Sequence, residues 1–303
     1  MNGFRQEHDA ALQQVIRSTI HAIAPERAEE LDSYWAHYDP EIQMASDGAG
    51  GEGVVMQAGL YRFIQFNHRT MRLFWLSSFL LWEGYEATYR YAETGLTDTT
   101  RFEELYDCFQ ATLHAADVDA VAWPAGIPSP GELVEHVEGE PGRVAGELAI
   151  FSVVWAFLHE VRHLMHQQDG TSAAADDPSA ARQEELSCDR FATDFLLTGL
   201  PNYSAQTGQP LDLVQMKRQT SIYGALFAMA LFGQSAWAES DSHPSLQKRI
   251  DETVATMEGH GFNLIAAAIG TSAFSTLKLR FNEAPSPLAI ASVVKAFEHH
   301  TLG

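Results

Sequence analysis

The sequence predicts a mainly α fold, a helical domain built around one helix that carries an HExxH motif, with at most a small β element. Two observations carry that reading. Apolar residues recur at helical spacing through most of the 303 residues, and the segments between them are short and rich in Gly, Pro, Ser and Asp. Strand-like patterning is read in one stretch near the tail, GTSAFSTLKLRFN from Gly270.

In chain order, residues 4–38 predict an amphipathic helix interrupted near Pro25, with Leu12, Val15, Ile16, Ile20 and Ile23 at helical spacing. Residues 46–53 (SDGAGGEG) predict a loop. Residues 59–93, opening GLYRFIQFNHRT, predict a long aromatic-rich helix, apolar on most sides and therefore buried. A further helix is expected over residues 100–116. Prolines and glycines cluster over residues 123–142 (WPAGIPSPG, EGEPG), which marks the best internal boundary. The chain thus divides into a helical N-terminal region, 1–122, serving as core or partner-binding surface, the connection 123–142, and the region 143–303 that carries the HExxH motif. There the sequence predicts a long helix over 143–168, a loop (TSAAADDPSAA), and a helix over 182–197 stopped by Gly199 and Pro201. A helix over 211–232 follows, then one opened by Ser242-His243-Pro244 and running to about Met257, with Pro244 at its first position. A last helix is expected over 287–297.

Composition bounds the function. Hydrophobic residues make up 46% of the chain, enough for a sizeable core. Forty acidic against 19 basic residues give a formal charge of -21, which repels phosphate backbones and anionic lipid surfaces and argues against nucleic-acid and membrane-surface binding. Cys108 and Cys188 are too few for a disulfide framework or a Cys-only metal site. The polar N-terminus lacks the pattern of a signal peptide, and the apolar stretches 73–82, 148–158 and 222–232 fall short of a membrane span. A cytoplasmic protein without a membrane span is expected.

The chemistry resides in His159-Glu160-Val161-Arg162-His163. Histidines four apart share one helix face, so both imidazoles can reach one ion, while Glu160, turned by one position, can act on water beside it. Zinc lowers the pKa of such a water to about 7, so a carboxylate can take its proton and deliver hydroxide to a peptide carbonyl. One zinc ion per chain is expected, with Glu160 as general base. Chance also produces three fixed letters in roughly a few per cent of chains this long. Burying charged histidine-rich turns beside the apolar FSVVWAFL is costly, however, which argues against accident. A catalytic zinc needs a third protein ligand. Glu185 and Asp189, again four apart, offer a ligand and a carboxylate behind it that fixes a histidine tautomer. The adjacent Glu184 competes with Glu185, and the same acids read equally as a solvated face near a helix N-terminus.

HEVRH, ELSCDRFATDFLL and SHPSLQKRI, in that order, resemble the gluzincin metallopeptidases of the HtpX and CAAX-prenyl protease type. The resemblance covers about residues 143–257. It implies Glu185 as zinc ligand, Asp189 behind the ligands, and His243-Pro244 with Arg249-Ile250 as the last piece. His243 would stabilise the oxyanion of the tetrahedral intermediate, and Arg249 would orient Glu185 or Asp189. An ordinary helix-start histidine and a solvated arginine are the alternatives for those two. The chain departs from that type in lacking a membrane span and in carrying Cys188 where a small Ala is usual. Its layout, and the stretch FIQFNHRTMRLFW, is similar to the Lit phage-exclusion peptidase family. That resemblance implies a cytoplasmic protease acting on one folded host protein, with a translation elongation factor as the target type. From another class stands a non-catalytic zinc-stabilised interaction module, which would have no use for Glu160.

Other features are set aside. GAGGEG (48–53) matches a nucleotide-binding spacing, but no strand is predicted before it and Asp47 and Glu52 repel phosphate. His166 reads as the next helical turn, and His68, His114 and His136 have no partner at a recognisable spacing. His299-His300 offers only nonspecific metal binding. Cys188 reads as a small buried packing residue, and Trp75, Trp82 and Trp155 as core.

Overall fold

Pro25 breaks the N-terminal helix as expected. In the computed structural model, which describes residues 2–45, 53–59, 62–130 and 140–287, α1 (Asn2–Ile23) and α2 (Ala28–Tyr38) flank a 3-10 turn, Pro25–Arg27. Three short strands follow: β1 (Glu41–Ala45), β2 (Met56–Ala58) and β3 (Phe63–Asn67). The remainder is helical: α3 (His68–Thr94), α4 (Thr100–His114), α5 (Glu140–Gln168), α6 (Pro178–Leu197), α7 (Leu200–Thr207), α8 (Leu211–Leu231), α9 (Leu246–Gly259) and α10 (Leu264–Arg280). The fold is mainly α with one small sheet.

The β element lies near the N-terminus rather than in the tail. Phe63–Asn67, expected to open the long helix, is the central strand, parallel to β1 and antiparallel to β2. Ile64 and Phe66 alternate into the core beside Ile42, a period of two that suits a pleated strand. The helix begins only at His68, because the Asn67 side chain accepts from the Thr70 N–H at 2.9 Å and caps it.

The tail stretch expected as strand is instead the body of α10. Its small residues allow close approach to other helices. A Cβ added at Gly270 would lie 2.5 Å from the Tyr223 ring, and one at Gly84 of α3 would lie 2.8 Å from the Cα of Ala273. Ala266, Ala267, Ile269, Ala273, Phe274 and Leu277 are all buried, so α10 lacks the polar face by which an amphipathic helix is recognised. Two helix starts also differ. α6 begins at Pro178, capped by the Asp177 carboxylate on the Ala180 N–H, and α9 begins at Leu246, capped by Ser245. Pro244 therefore precedes the cap. The helix expected over 287–297 lies, from residue 288, outside the described residues, as do His136, His299, His300 and most of GAGGEG.

Helix α5 runs through the middle, packed on α3, α6 and α8. By length and composition its segment Gly142–Gln168 could cross a membrane, but 72% of that apolar window is buried inside this fold. A single hydrophobic cluster draws Ile20, Phe79 and Phe109 together with Trp155, Phe227 and Phe274, from both sides of residues 123–142. Arg218 on α8 ties the N-terminal turn to it, bonding the Glu26 carboxylate, the Ile23 carbonyl at 2.9 Å and the Leu196 carbonyl at 2.7 Å.

Candidate metal centre

The apolar first half of α5 drives that helix into the core and carries the HExxH turn in with it. His159 and Glu160 are buried, and the rings of His159 and His163 sit edge to face, 4.9 Å apart. Their Nε2 atoms are 3.2 Å from each other. From the facing helix α6, Glu185 brings Oε2 to 3.4 Å from His159 Nε2 and Oε1 to 3.1 Å from His163 Nε2. Three donors bonded to one zinc at about 2.0–2.1 Å in a tetrahedral arrangement stand about 3.3 Å apart, so this trio has the spacing of a ligand set.

The opposite sides of both rings are occupied. His159 Nδ1 lies 2.9 Å from Asp189 Oδ1, and His163 Nδ1 lies 2.8 Å from Glu184 Oε1. With each Nδ1 facing a carboxylate, both Nε2 atoms are turned toward one another and toward Glu185. Glu185 Oε2 is buried and has no hydrogen-bond partner. Two imidazole nitrogens and a buried carboxylate stand at ligand spacing, so the residues fit a divalent metal once both rings are neutral.

The electrostatics agree. Burial opposes charge on His159, but the Asp189 and Glu185 carboxylates beside its ring raise its pKa to about 10. His163 is raised too, against burial, chiefly by Glu185. Burial would raise Glu185 and Asp189, yet the imidazoles and Arg249 hold both below the ordinary carboxylate range. The cavity attracts positive charge. Glu160 behaves differently. Burial holds its pKa above the usual value, against the pull of the two histidines and of the Ala58 N–H, which donates to Oε2 at 2.6 Å.

The remaining expected residues also converge here. Arg249 on α9 grips Asp189 with two bonds, Nε to Oδ2 at 2.8 Å and Nη2 to Oδ1 at 2.6 Å, and has Nη1 3.6 Å from Glu185. It is a largely covered clamp, not a solvated surface arginine. His243 stands at the open side with Nε2 3.5 Å from Glu185 Oε1 and Nδ1 bonded to the Ser242 hydroxyl at 2.7 Å. Glu184 is turned from the ligand face but meets the back of the His163 ring. Cys188 competes as third donor, since one ligand atom from each of His159, His163 and Cys188 can be chosen within 4.8 Å. Glu185 presents an oxygen to each Nε2, at 3.4 and 3.1 Å. Burial and the nearby carboxylates also push the Cys188 thiol up, away from the thiolate a metal requires. His166 faces elsewhere, bonding Thr171 and Ser187 at 2.8 Å each.

A cleft of about 600 Å³ opens onto this centre. Met56, Gln57 and Ala58 of the edge strand β2 form one wall, and Phe74, Trp155, Ala225, Met229 and Phe232 give it apolar depth. Sequence reasoning missed Ala58 because its contribution is a backbone N–H, and missed the outer role of Glu184, signalled only by its place beside Glu185.

The sequence profile of the family described as Peptidase U49 matches residues 64–269, about two thirds of the chain, including His159, Glu160, His163, Glu184, Glu185, Asp189, His243 and Arg249. The chain belongs to that family. Comparison with curated proteins and with solved structures gives no match.

Proposed function

We propose that this member of the peptidase U49 family is a zinc-dependent endopeptidase of gluzincin type, with His159, His163 and Glu185 as ligands and Glu160 as general base. The observation that carries the reading is the Glu185 carboxylate, its buried Oε2 without a hydrogen bond, facing two imidazoles whose Nδ1 atoms are already taken by Asp189 and Glu184. When bound, zinc polarises a peptide carbonyl and makes water acidic near neutral pH. Everything else falls to the chain. Glu160 takes a proton from the attacking water as its oxygen bonds to the carbonyl carbon, then delivers that proton to the amine as the C–N bond breaks. Burial, by raising its pKa, suits it to both directions. His243 donates to the oxyanion from the open side of Glu185. An extended peptide lies along β2, whose outer edge faces the cleft at Ala58.

Purified protein should hold one zinc per chain. Glu185→Ala should lose it, whereas Cys188→Ala should keep it, both read by elemental analysis. Zinc retained in the first variant and lost in the second would make Cys188 the third ligand. The similarity to the Lit phage-exclusion peptidases supports an intracellular protein as substrate, with a translation elongation factor the first to try.

A further inference from the structure

The loop between α5 and α6, residues 169–177, is fastened to the metal centre at one point. Glu184 divides its carboxylate between two donors: Oε1 accepts from His163 Nδ1 at 2.8 Å, and Oε2 accepts from the backbone N–H of Ala173 at 2.6 Å. A second fastening lies beside it. His166 bonds Thr171 Oγ1 and Ser187 Oγ, and its carbonyl accepts from the backbone N–H groups of Thr171 and Ser172 at 2.9 and 3.1 Å. The loop is therefore tied down by side chains and carbonyls of the two helices that carry the centre.

We infer that Glu184 is a positioning residue that couples the order of this loop to metal binding at His163. The inference rests on the metal-binding reading above. One carboxylate cannot hold both donors unless both are in place. With the Ala173 N–H docked, Oε2 is fixed and Oε1 is aimed at the ring, which sets its tautomer and turns Nε2 toward Glu185. With the loop undocked, the carboxylate gains other rotamers and the hydration its partly open position allows, and His163 loses its orientation. Linkage makes the effect reciprocal. Whatever factor loop docking contributes to metal affinity, bound metal returns to loop order.

The test measures zinc affinity by competition with a chelator on the full chain. It is joined by the visible spectrum of the cobalt-substituted protein and by hydrogen exchange of the loop with and without metal. Ala173→Pro removes the loop N–H without touching the centre, and Glu184→Ala removes the carboxylate. Each should weaken zinc about ten- to hundredfold, the scale for losing an outer partner of a ligand histidine, and shift the cobalt spectrum. Glu184→Gln, which keeps an acceptor for only one of the two donors, should fall between. In the wild-type chain, metal should slow exchange across residues 171–175, and this protection should vanish in Glu184→Ala. If the wild-type chain binds zinc while Ala173→Pro and Glu184→Ala keep its affinity within about twofold, the coupling is wrong and the metal reading stands. If the wild-type chain binds no zinc, both are wrong. Ala173→Pro lies in a loop and Glu184→Gln preserves size, so a fold lost in one variant leaves the other to decide.

Discussion

His159 and His163 make the same kind of contact with a carboxylate and have different support behind it. Asp189, behind His159, has its side chain 1% exposed and is held by two bonds from Arg249, so three helices, α5, α6 and α9, fix that ring. Glu184, behind His163, is 13% exposed and leans on a single loop amide. The first arrangement is an ion pair within the packed core, and the second joins a helix to a loop. The difference assigns them different work. The Asp189 side maintains the fold as well as the ring, whereas the Glu184 side can loosen without unfolding anything.

The sharpest way to break this contrast is to remove the clamp. Arg249→Ala leaves Asp189 buried without its cation, and breaking a buried pair this way costs about 3–5 kcal/mol. Glu184→Ala removes hydrogen bonds from a partly hydrated carboxylate and should cost the metal-free fold only about 1 kcal/mol. Chemical denaturation of both variants, stripped of metal, checks it. Equal losses would mean that the two sides are not distinct.

His243 extends the contrast to the mouth of the site, since its side chain is 55% exposed and still within 3.5 Å of Glu185. A residue that acts only on the developing oxyanion supports neither fold nor metal. His243→Ala should therefore keep zinc and stability while kcat on the cleaved protein falls about 10²-fold, with KM little changed. Loss of zinc in this variant would instead make His243 part of the ligand shell.

The smallest expected signal is protonic. In the metal-free chain His159 titrates at about 10, so at pH 8 it is charged and must lose a proton when zinc binds. Calorimetry in two buffers of different ionisation enthalpy should find about one proton released per zinc, and apparent affinity should climb as pH rises toward 10. The sign for stability runs the other way. A raised histidine pKa stabilises the metal-free fold fully below the unfolded value of about 6.5, and that contribution fades as pH rises through the folded one. Zinc binding without proton release would mean that His159 is neutral in the metal-free chain.

Much of this centre was legible because helix geometry converts spacing into direction. His159 and His163, and Glu185 and Asp189, are four apart, and each pair meets the other across the α5–α6 contact. The same rule, applied to Glu184, said only that it turns from the ligand face. That it meets the back of His163 depends on how α6 crosses α5, which spacing along one helix does not encode. The sheet was missed because Phe63–Asn67 runs straight into an apolar helix, so its two-residue period was submerged in a continuous apolar stretch. In α10 burial on nearly every side erased the helical period, and threonines among small residues read as strand. Ala58 acts through its backbone, which no choice of side chain reveals.

The central claim is that Glu160 performs hydrolysis at a metal it does not hold. Zinc-loaded protein and zinc-loaded Glu160→Gln should be incubated separately with a lysate of intracellular proteins, and new N-termini counted by terminal-amine labelling. The unaltered chain should give a small set of new termini, and Glu160→Gln should lower their rate of formation at least about a thousandfold, with equal zinc in both. The same termini formed at similar rates by both proteins, or none formed by either, would contradict the claim.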